Sequence, residues 1–231
     1  MNETLRQLGS KLEGEFYQDR KMRILYATDA SAYREMPLAV AVPKSVTDLK
    51  TLIAFANREK ISLIPRAAGT SLAGQVVGKG IIVDISKYFT SIIRLDKENK
   101  TVTVQPGVIR DELNLFLKPE GLYFGPETST ANRAMMGGMV GNNSCGSNSI
   151  VYGSTREHLL EVKALLSDGS EATFNQLDLE SFHRHCEKPG LEGTIYKRLR
   201  SLLSDYPTQL EIRKEFPKKS IHRRNTGYAV D

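Results

Sequence analysis

The stretch PRAAGTSLAGQ (residues 65–75) follows a run of β-type residues at 61–64 and then consists almost entirely of small side chains. Alanine and glycine let a backbone approach a ligand closely, and consecutive N–H groups can converge on phosphate oxygens. Thr70 and Ser71 add hydroxyl donors, and Arg66 adds a positive charge. The alternative is a tight strand-to-strand crossover that needs small residues only for packing, and this segment alone favours neither interpretation.

The stretch matches neither common nucleotide motif. Gly69 and Gly74 are spaced as in the phosphate loop G-x-x-x-x-G-K-[ST], but Gln75 and Val76 replace the lysine and the hydroxyl residue. The groups that hold β/γ-phosphates and magnesium are therefore missing. A Rossmann G-x-G-x-x-G is also absent, since no glycine pair with that spacing follows a strand.

The residues before this stretch predict a helix over 1–20 and a short strand that leads into a loop over 21–33. The segment SVTDLKTLIAFANREK (45–60) predicts a helix, with Ser45 and Asp48 as its capping box. The strand ISLIP follows directly. This order indicates a parallel βαβ unit that ends at the glycine-rich stretch.

After Gly80 the pattern changes to hairpins. Strands are expected over 81–86 and in a hairpin turning at 98–100, followed by a helix from Ile109 to Leu117. That helix is expected to direct Leu113, Phe116 and Leu117 inward. A hairpin over Asp168-Gly169 and a helix near 195–203 complete the pattern, which indicates an antiparallel sheet with helices.

A second glycine-rich segment, GPETSTANRAMMGGMVGNNSCGSNSIVYGST, covers residues 125–155. A loop of this length without structure of its own is uncommon in a compact domain unless it is functional. Its glycines expose the backbone, while Asn142, Asn143, Ser144 and Ser147 offer neutral donors. Two such segments on different subdomains can clamp an extended, doubly charged diphosphate.

Together these motifs resemble the FAD-linked oxidase family. PRAAGTSLAGQ, then VQPGV (104–108), then GGMVGNNSCGS with YGST (137–155) are similar to the vanillyl-alcohol oxidase or p-cresol methylhydroxylase (PCMH) type of FAD-binding domain. The resemblance is nearest to D-lactate, glycolate and D-2-hydroxyglutarate dehydrogenases, and it runs from about Leu25 to the last residue.

The resemblance implies an α+β, PCMH-type fold with a small parallel α/β subdomain followed by a larger antiparallel sheet flanked by helices. We therefore divide the chain into an N-terminal helical segment (1–20), a small α/β FAD subdomain (21–88) and a larger antiparallel FAD subdomain (89–231). The family continues with a substrate-binding cap that carries catalytic histidines, and we expect this chain to be an N-terminal fragment without that cap. We expect these residues alone to bind FAD weakly and not to turn over substrate.

The resemblance also assigns cofactor-binding residues position by position. It places the diphosphate of FAD on the first loop, diphosphate or flavin contacts at a threonine–serine pair, and further contacts on the second loop with its closing tyrosine–glycine. These residues are Pro65, Arg66, Ala67, Ala68, Gly69, Thr70, Ser71, Leu72, Gln75, Thr128, Ser129, Gly138, Gly141, Asn142, Asn143, Gly146, Ser147, Tyr152 and Gly153.

The chemistry that the resemblance implies is oxidation of a 2-hydroxy acid to a 2-oxo acid by hydride transfer to flavin N5. Some relatives attach FAD covalently through a histidine in the first loop, where this chain has Ala67 and Ala68, so non-covalent FAD is expected. An iron–sulfur module, a quinone or a cytochrome is the expected electron acceptor. The catalytic residues and the identity of the 2-hydroxy acid are not assigned.

Composition is that of a globular protein, with 40% apolar and 26% charged residues, and no run is apolar enough for a membrane span or a signal peptide. A cytoplasmic location is expected, with peripheral membrane association left open, and Cys145 and Cys186 are interpreted as reduced thiols. The net charge of +5 is concentrated near the C-terminus, in residues 212–225. That stretch lacks a series of aromatic side chains, so a solvated surface is favoured over a nucleic-acid site.

Other candidate residues have simpler structural explanations. The HRHC cluster (183–186) lies in a polar segment interpreted as a surface loop, with no second ligand pair at a defined spacing, and no metal site is predicted. His158 is interpreted as structural, and Cys145 as a small residue that packs in the second loop. Asp29 and Tyr33 can touch flavin or adenine, although an Asx-turn explains Asp29 equally well.

Arg223 and Arg224 suit a substrate carboxylate, but surface charge is the favoured interpretation. Two function classes remain open. One is the FAD-binding portion of a flavin dehydrogenase. The other is a non-catalytic flavin- or nucleotide-binding accessory module, or a nucleic-acid binder that uses the basic C-terminal stretch.

Overall fold

The structure is a computed structural model that describes residues 2–218, 220–221 and 230. Its helices are α1 (Asn2–Gly9), α2 (Arg20–Leu25), α3 (Val46–Glu59), α4 (Arg110–Leu117), α5 (Met136–Gly141), α6 (Ser149–Tyr152), α7 (Leu179–Glu187), α8 (Gly190–Leu203) and α9 (Tyr206–Glu215). Its strands are β1 (Glu15–Tyr17), β2 (Ala39–Val42), β3 (Leu63–Arg66), β4 (Ile81–Asp84), β5 (Ile92–Asp96), β6 (Thr101–Val104), β7 (Glu161–Leu165) and β8 (Glu171–Asn175).

A four-stranded sheet organises the first part of the chain, in the order β1-β2-β4-β3. Strands β2 and β3 both run parallel to β4, which lies between them, and β1 pairs antiparallel with β2. Every residue of β2 and β4 is buried, as expected for strands covered on both faces. The predicted parallel βαβ unit is confirmed: β2, α3 and β3 form it.

The hydrophobic core of this part lies between the sheet and helices α1 and α3. Leu5 and Leu8 of α1 and Leu52 and Phe55 of α3 pack against alternate residues of β2 and β4. Residues two apart along a strand share a face, so Ala39 and Ala41, and likewise Ile81 and Val83, form a single apolar surface.

Two predictions for the N-terminal residues are wrong. The helix predicted over 1–20 ends at Gly9, and the chain then joins the sheet as β1. The strand predicted at the start of 21–33 is instead helix α2, whose N-terminus is capped by Asp19 accepting from the N–H of Met22 at 3.0 Å. The hydrogen bond to Asp19 and the backbone hydrogen bonds of the helix outweigh the β-strand preference of Ile24 and Leu25. The side chains of these two residues remain exposed.

Asp48 joins three segments of backbone. Ser45 accepts from the N–H of Asp48 at 3.2 Å, as predicted for the N-terminus of α3. The Asp48 carboxylate does not complete a capping box but accepts from the N–H groups of Glu13, Gly14 and Lys44 at 2.8, 2.9 and 2.8 Å. This side chain is 1% exposed, and it holds the turn before β1 against the end of β2.

The second part of the chain contains two antiparallel hairpins, β5–β6 and β7–β8. Within the described residues these hairpins form separate two-stranded sheets and not one continuous sheet. Helices α4 and α5 pack with β5–β6 around Leu113, Leu117 and Met139. Phe116, predicted to point inward, is 46% exposed, because it lies off the face that Leu113 and Leu117 share one turn apart.

The β7–β8 hairpin touches the first part of the chain. Lys50 of α3 pairs with Glu171 of β8 at 2.6 Å, and Asn57 donates to the carbonyl of Ser167 at 2.6 Å. The mixed α+β class expected from the sequence is confirmed. In the described part of the chain, we find no helix with the length and apolar character needed to cross a membrane.

Replacement of Asp48 by alanine tests the role of this carboxylate. We expect Asp48→Ala to lower the free energy of unfolding by about 2 kcal/mol, because three partly buried N–H groups lose a charged acceptor. Urea denaturation followed by far-UV circular dichroism measures the change.

Asp178→Ala is the matched control, since Asp178 caps α7 through a single exposed N–H, that of Ser181 at 2.6 Å. We expect about 1 kcal/mol or less there. A loss for Asp48→Ala no larger than for Asp178→Ala would contradict the three-segment role.

Candidate functional site

The first glycine-rich stretch connects two parallel neighbours in the sheet. It leaves β3 at Arg66 and reaches β4 at Ile81, a crossover that is usually helical. Gly69 and Gly74 adopt φ values of +67° and +75°, in the left-handed region that side chains disfavour. A Cβ at Gly69 would lie 2.6 Å from Nη2 of Arg66, and one at Gly74 would lie 2.7 Å from the Tyr33 ring. The two glycines therefore let the backbone fold closely over these side chains.

Backbone N–H groups are the main polar feature of this loop. The hydrogen bonds among the described residues leave the N–H groups of residues 67–72 without an intramolecular partner. The Gly69 carbonyl accepts from the N–H of Ala30 at 3.1 Å, which fixes one side of the loop. Ser71 donates to Oε1 of Gln75, which also accepts from the N–H of Ala73 at 3.2 Å, and these bonds close the other side. These hydrogen bonds fix both sides of the loop. The N–H groups of residues 67–72 remain without an intramolecular partner and can donate to an anion.

The segment TDASAY (residues 28–33) lies beside the loop and contacts it at Gly69 and Gly74. Asp29 makes the expected Asx-turn, with Oδ1 accepting from the N–H of Ser31 at 2.8 Å. Its Oδ2 is buried and has no hydrogen-bond partner among the described residues. Tyr33 packs against Gly74 and is 62% exposed.

The second glycine-rich segment enters the site through helix α5. Gly137 packs its backbone on Pro106, with its N–H donating to the Pro106 carbonyl at 2.8 Å. Gly138 and Gly141 lie three residues apart and so share one side of the helix. A Cβ at Gly138 would meet only Ala67 of the first loop, at 3.9 Å, and one at Gly141 would meet no described atom within 4 Å. This side of α5 is therefore open backbone.

The Gly138–Ala67 approach shows that the two glycine-rich segments meet, as the sequence predicts. The N–H groups of residues 67–72 and the open side of α5 therefore belong to two segments that approach each other at this point. Every residue predicted to bind the cofactor keeps some solvent exposure, which is a requirement for a contact surface.

Several of the predicted residues also have internal structural roles. Asn143, at a φ of 46°, accepts through Oδ1 from the N–H of Arg156 at 3.0 Å. Gly146 lies so close to Glu127 that a Cβ there would be 2.2 Å from the Glu127 carbonyl. Tyr152 packs against the backbone of Gly125 and makes an edge contact with Tyr123, with ring centroids 5.4 Å apart.

The remaining predicted residues of the second segment are more open. Asn142 donates to Ser144 at 3.1 Å, and Thr128 approaches Thr130 at 3.4 Å. Ser129 and Ser147 are exposed. Gly153 ends helix α6 at a φ of +71°.

The HRHC cluster, His158 and the arginine pair lie outside the two glycine-rich segments. The polar segment that contains HRHC is helix α7 and not a loop: Asp178 caps its N-terminus, and Nδ1 of His185 donates to the Ser181 carbonyl at 2.8 Å. Cys186 is buried, and no metal-type group of three ligands occurs within residues 2–218, 220–221 and 230. His158 has a structural position, with Nε2 2.7 Å from the Tyr152 carbonyl. Arg223 and Arg224 lie outside the described residues.

Two residues beneath the first loop, Tyr26 and Asp84, were not predicted from the sequence. The Tyr26 hydroxyl donates to Oδ2 of Asp84 at 2.5 Å, and the Arg66 guanidinium lies 5.1 Å from the centroid of the Tyr26 ring. Burial, followed by the hydrogen bond to Asp84, raises the pKa of Tyr26 above its ordinary value. An acidic residue directly after the apolar run IIV was the available signal for Asp84, whereas Tyr26 had none.

Known proteins share both the sequence and the fold. D-2-hydroxyglutarate dehydrogenase of Pseudomonas putida is 36% identical over 230 residues, which cover 98% of this chain and 22% of that protein. Glycolate oxidase subunit GlcD of Bacillus subtilis is 31% identical over 149 residues, covering 64% of this chain and 32% of that protein. A solved structure of alkyldihydroxyacetonephosphate synthase aligns with a TM-score of 0.66 at 18% identity, covering 77% of this chain and 35% of that chain.

Both glycine-rich segments lie within residues 37–175, the region that matches a family model described as an FAD binding domain. That match extends from the residues before β2 to the end of β8, and so includes both loops and the three parallel strands β2, β3 and β4. The chain therefore belongs to the FAD binding domain family.

Proposed function

We propose that this chain is the FAD-binding portion of a flavin-dependent D-2-hydroxy-acid dehydrogenase. The observation that carries the proposal is the row of N–H groups at 67–72 without an intramolecular partner, on a loop whose Ala67 approaches the open backbone of α5 at Gly138. We infer that the space between this loop and the Gly138–Gly141 side of α5 is the crevice that holds the cofactor. Such a row stabilises an anion through several short hydrogen bonds without a cationic side chain. The diphosphate of FAD is an extended anion that fits this arrangement.

The residues that hold the cofactor in this proposal divide into two groups. The first loop binds the diphosphate with the backbone of residues 65–72, and Gln75 closes that loop. The second segment provides a flat backbone surface at Gly138 and Gly141 and polar groups at its edges. Those polar and closing residues are Thr128, Ser129, Asn142, Asn143, Gly146, Ser147, Tyr152 and Gly153.

When bound, FAD supplies a two-electron acceptor at N5 for the hydride of a 2-hydroxy acid, which leaves a 2-oxo acid. The chain's own contribution is to bind and orient the cofactor. Neither glycine-rich segment contains a histidine, so neither supplies an imidazole base to the substrate hydroxyl. The names of the relatives, D-2-hydroxyglutarate dehydrogenase and glycolate oxidase subunit GlcD, support a small 2-hydroxy acid as the substrate class.

The proposal includes non-covalent attachment of FAD. Ala67 and Ala68 occupy the centre of the first loop, and an alanine methyl group cannot form a bond to the flavin ring. The electron acceptor that we propose is an iron–sulfur module, a quinone or a cytochrome, in keeping with the resemblance of the motifs.

Titration of the purified chain with flavins tests the site. We expect weak, reversible binding of FAD, tighter than that of riboflavin by about tenfold, because riboflavin lacks the diphosphate that the N–H groups bind. Quenching of flavin fluorescence measures both affinities. Magnesium ATP serves as the control ligand, and we expect weaker binding than for FAD because the loop lacks the lysine of a triphosphate site.

Equal affinities for FAD and riboflavin would contradict the role of the loop. Acid denaturation followed by ultrafiltration tests the mode of attachment in the same sample. We expect all flavin to pass into the filtrate, and flavin retained with the protein would contradict non-covalent binding.

Replacement of Gly141 by leucine tests the second side of the crevice. A leucine there meets no described atom at its Cβ and is a good helix former, so we expect the thermal midpoint of unfolding to stay the same or rise. The side chain projects into the crevice, and we expect FAD affinity to fall by about tenfold or more through steric exclusion.

Thr194→Leu is the matched control, because Thr194 is an exposed residue of α8 outside both glycine-rich segments. We expect it to leave FAD affinity unchanged. Undiminished FAD affinity in Gly141→Leu would show that the cofactor does not lie against α5.

A chimera tests the proposed reaction. The aligned segment of the Pseudomonas putida D-2-hydroxyglutarate dehydrogenase is replaced by this chain, with which it is 36% identical over 230 residues. We expect the chimera to retain FAD and to reduce an artificial dye with D-2-hydroxyglutarate, and the same chimera with Gly141→Leu to lose both properties. A chimera that folds but lacks FAD would contradict the proposal.

A further inference from the structure

We propose that Tyr26 and Asp84 are positioning residues that hold Arg66 beneath the first loop and so preorganise the N–H groups of residues 67–72 for a diphosphate. The inference rests on the proposed function for the identity of the ligand. The positioning itself is a property of the chain alone and can be measured without any flavin.

The Arg66 side chain is folded back under its own loop. Its guanidinium lies 5.1 Å from the centroid of the Tyr26 ring, and Nη1 donates to the Tyr26 carbonyl at 3.3 Å. Nη2 occupies the space below Gly69, where an added Cβ would be only 2.6 Å away. The guanidinium therefore packs against the underside of the loop and limits how closely the Gly69 peptide can approach β3.

Tyr26 is held in turn by Asp84. The Tyr26 hydroxyl donates to Oδ2 at 2.5 Å, while Oδ1 accepts from the N–H of Ser86 at 2.8 Å. Asp84 is 6% exposed, so each carboxylate oxygen needs such a donor. The hydroxyl and the carboxylate fix the plane of the ring on which the guanidinium stacks.

The pairing of β3 with β4 brings these groups together. Arg66 and Asp84 are direct partners in that parallel register, at the carboxyl ends of both strands. The N–H of Ile85 also donates to the Arg66 carbonyl at 3.0 Å. A buried negative charge, a tyrosine and a positive charge thus form one row, in which each group has an attractive neighbour.

This arrangement gives Arg66 a different role from that of a ligand-binding arginine. A guanidinium stacked on Tyr26 and placed under Gly69 acts through the loop backbone, and the loop's own N–H groups contact the anion. A loop that is ordered before binding loses less conformational entropy when the ligand binds. Loss of the support should therefore loosen the loop and weaken the anion contacts together.

Hydrogen–deuterium exchange of Tyr26 variants tests the inference. In the 231-residue chain without flavin, we expect Tyr26→Leu to increase amide exchange at Ala30 and Ala73 by about tenfold, because the guanidinium loses its stacking partner. These two amides donate to the Gly69 carbonyl and to the Gln75 side chain and so report on the order of the loop; their exchange is called loop exchange below. Tyr26→Phe keeps the ring but not the hydroxyl, and we expect it to restore at least half of the lost protection. FAD affinity, measured by fluorescence titration, should fall in the same order.

Tyr88→Leu is the matched control. The Tyr88 hydroxyl also donates to a carboxylate, that of Glu15 at 2.7 Å, and Lys87 lies 5.1 Å from its ring centroid. Glu15 belongs to β1, at the sheet edge opposite β3, so this variant removes a similar interaction away from the loop. We expect it to leave both loop exchange and FAD affinity within about twofold of the unmodified chain.

The outcomes separate the inference from the proposed function. The positioning role would be overturned if loop exchange in Tyr26→Leu stayed within twofold of that in the unmodified chain. It would also be overturned if loop exchange were equal in Tyr26→Leu and Tyr88→Leu. Increased loop exchange in a chain that binds no FAD would support positioning and overturn the proposed ligand. Equal FAD affinity in the unmodified chain and in Tyr26→Leu would overturn the inference and leave the proposed function standing.

Discussion

The parallel register between β3 and β4 is the constraint on which the candidate site depends. It places Arg66 directly opposite Asp84 at the point where both strands end, and the glycine-rich loop begins there. Hydrogen bonds at both ends of the pairing hold this register: the N–H of Ile81 donates to the Ser62 carbonyl at 2.9 Å, and the N–H of Ile85 donates to the Arg66 carbonyl at 3.0 Å. The position of the loop is therefore decided by the packing of the sheet, while the loop's own residues decide its shape.

The second constraint is the approach of two separately packed regions. One core lies between the four-stranded sheet and helices α1 and α3, and the other surrounds Leu113 and Met139. The regions meet where Ala67 approaches Gly138, and neither residue has a side chain large enough to keep the backbones apart. Small residues at this junction allow the two backbones to approach closely, which is the basis for placing the proposed diphosphate site there.

In the proposed site, attraction for an anion comes mainly from peptide dipoles and not from charged side chains. Arg66 is committed to Tyr26 and to the underside of Gly69, so the donors available to an anion are the N–H groups of 67–72. Peptide dipoles are fixed by the fold and need no reorganisation when a ligand arrives. This explains how an anion site can form in a loop that matches neither the lysine-containing phosphate motif nor the Rossmann pattern.

Local patterns in the sequence were sufficient for several elements. Ser45 at the start of α3, the turn at 98–100 and the Asp168-Gly169 turn all specify their structures through short-range hydrogen bonds and backbone preference. Where local preference conflicted with longer-range contacts, prediction failed: residues 20–25 became helix α2 through the Asp19 cap, and residues 15–17 joined β2 as an edge strand. Phe116 was misplaced because helical spacing alone does not show which face meets the core.

By itself, the sequence determined that two glycine-rich segments expose their backbones, since the absence of side chains is a property of the residues. It also excluded a lysine–magnesium triphosphate site and a histidine in the first loop. Only the tertiary structure decided that Ala67 lies against Gly138, and that Asp84 and Tyr26 hold Arg66 beneath Gly69. These residues are far apart along the chain, so their contacts depend on strand register and core packing, which local patterns do not encode.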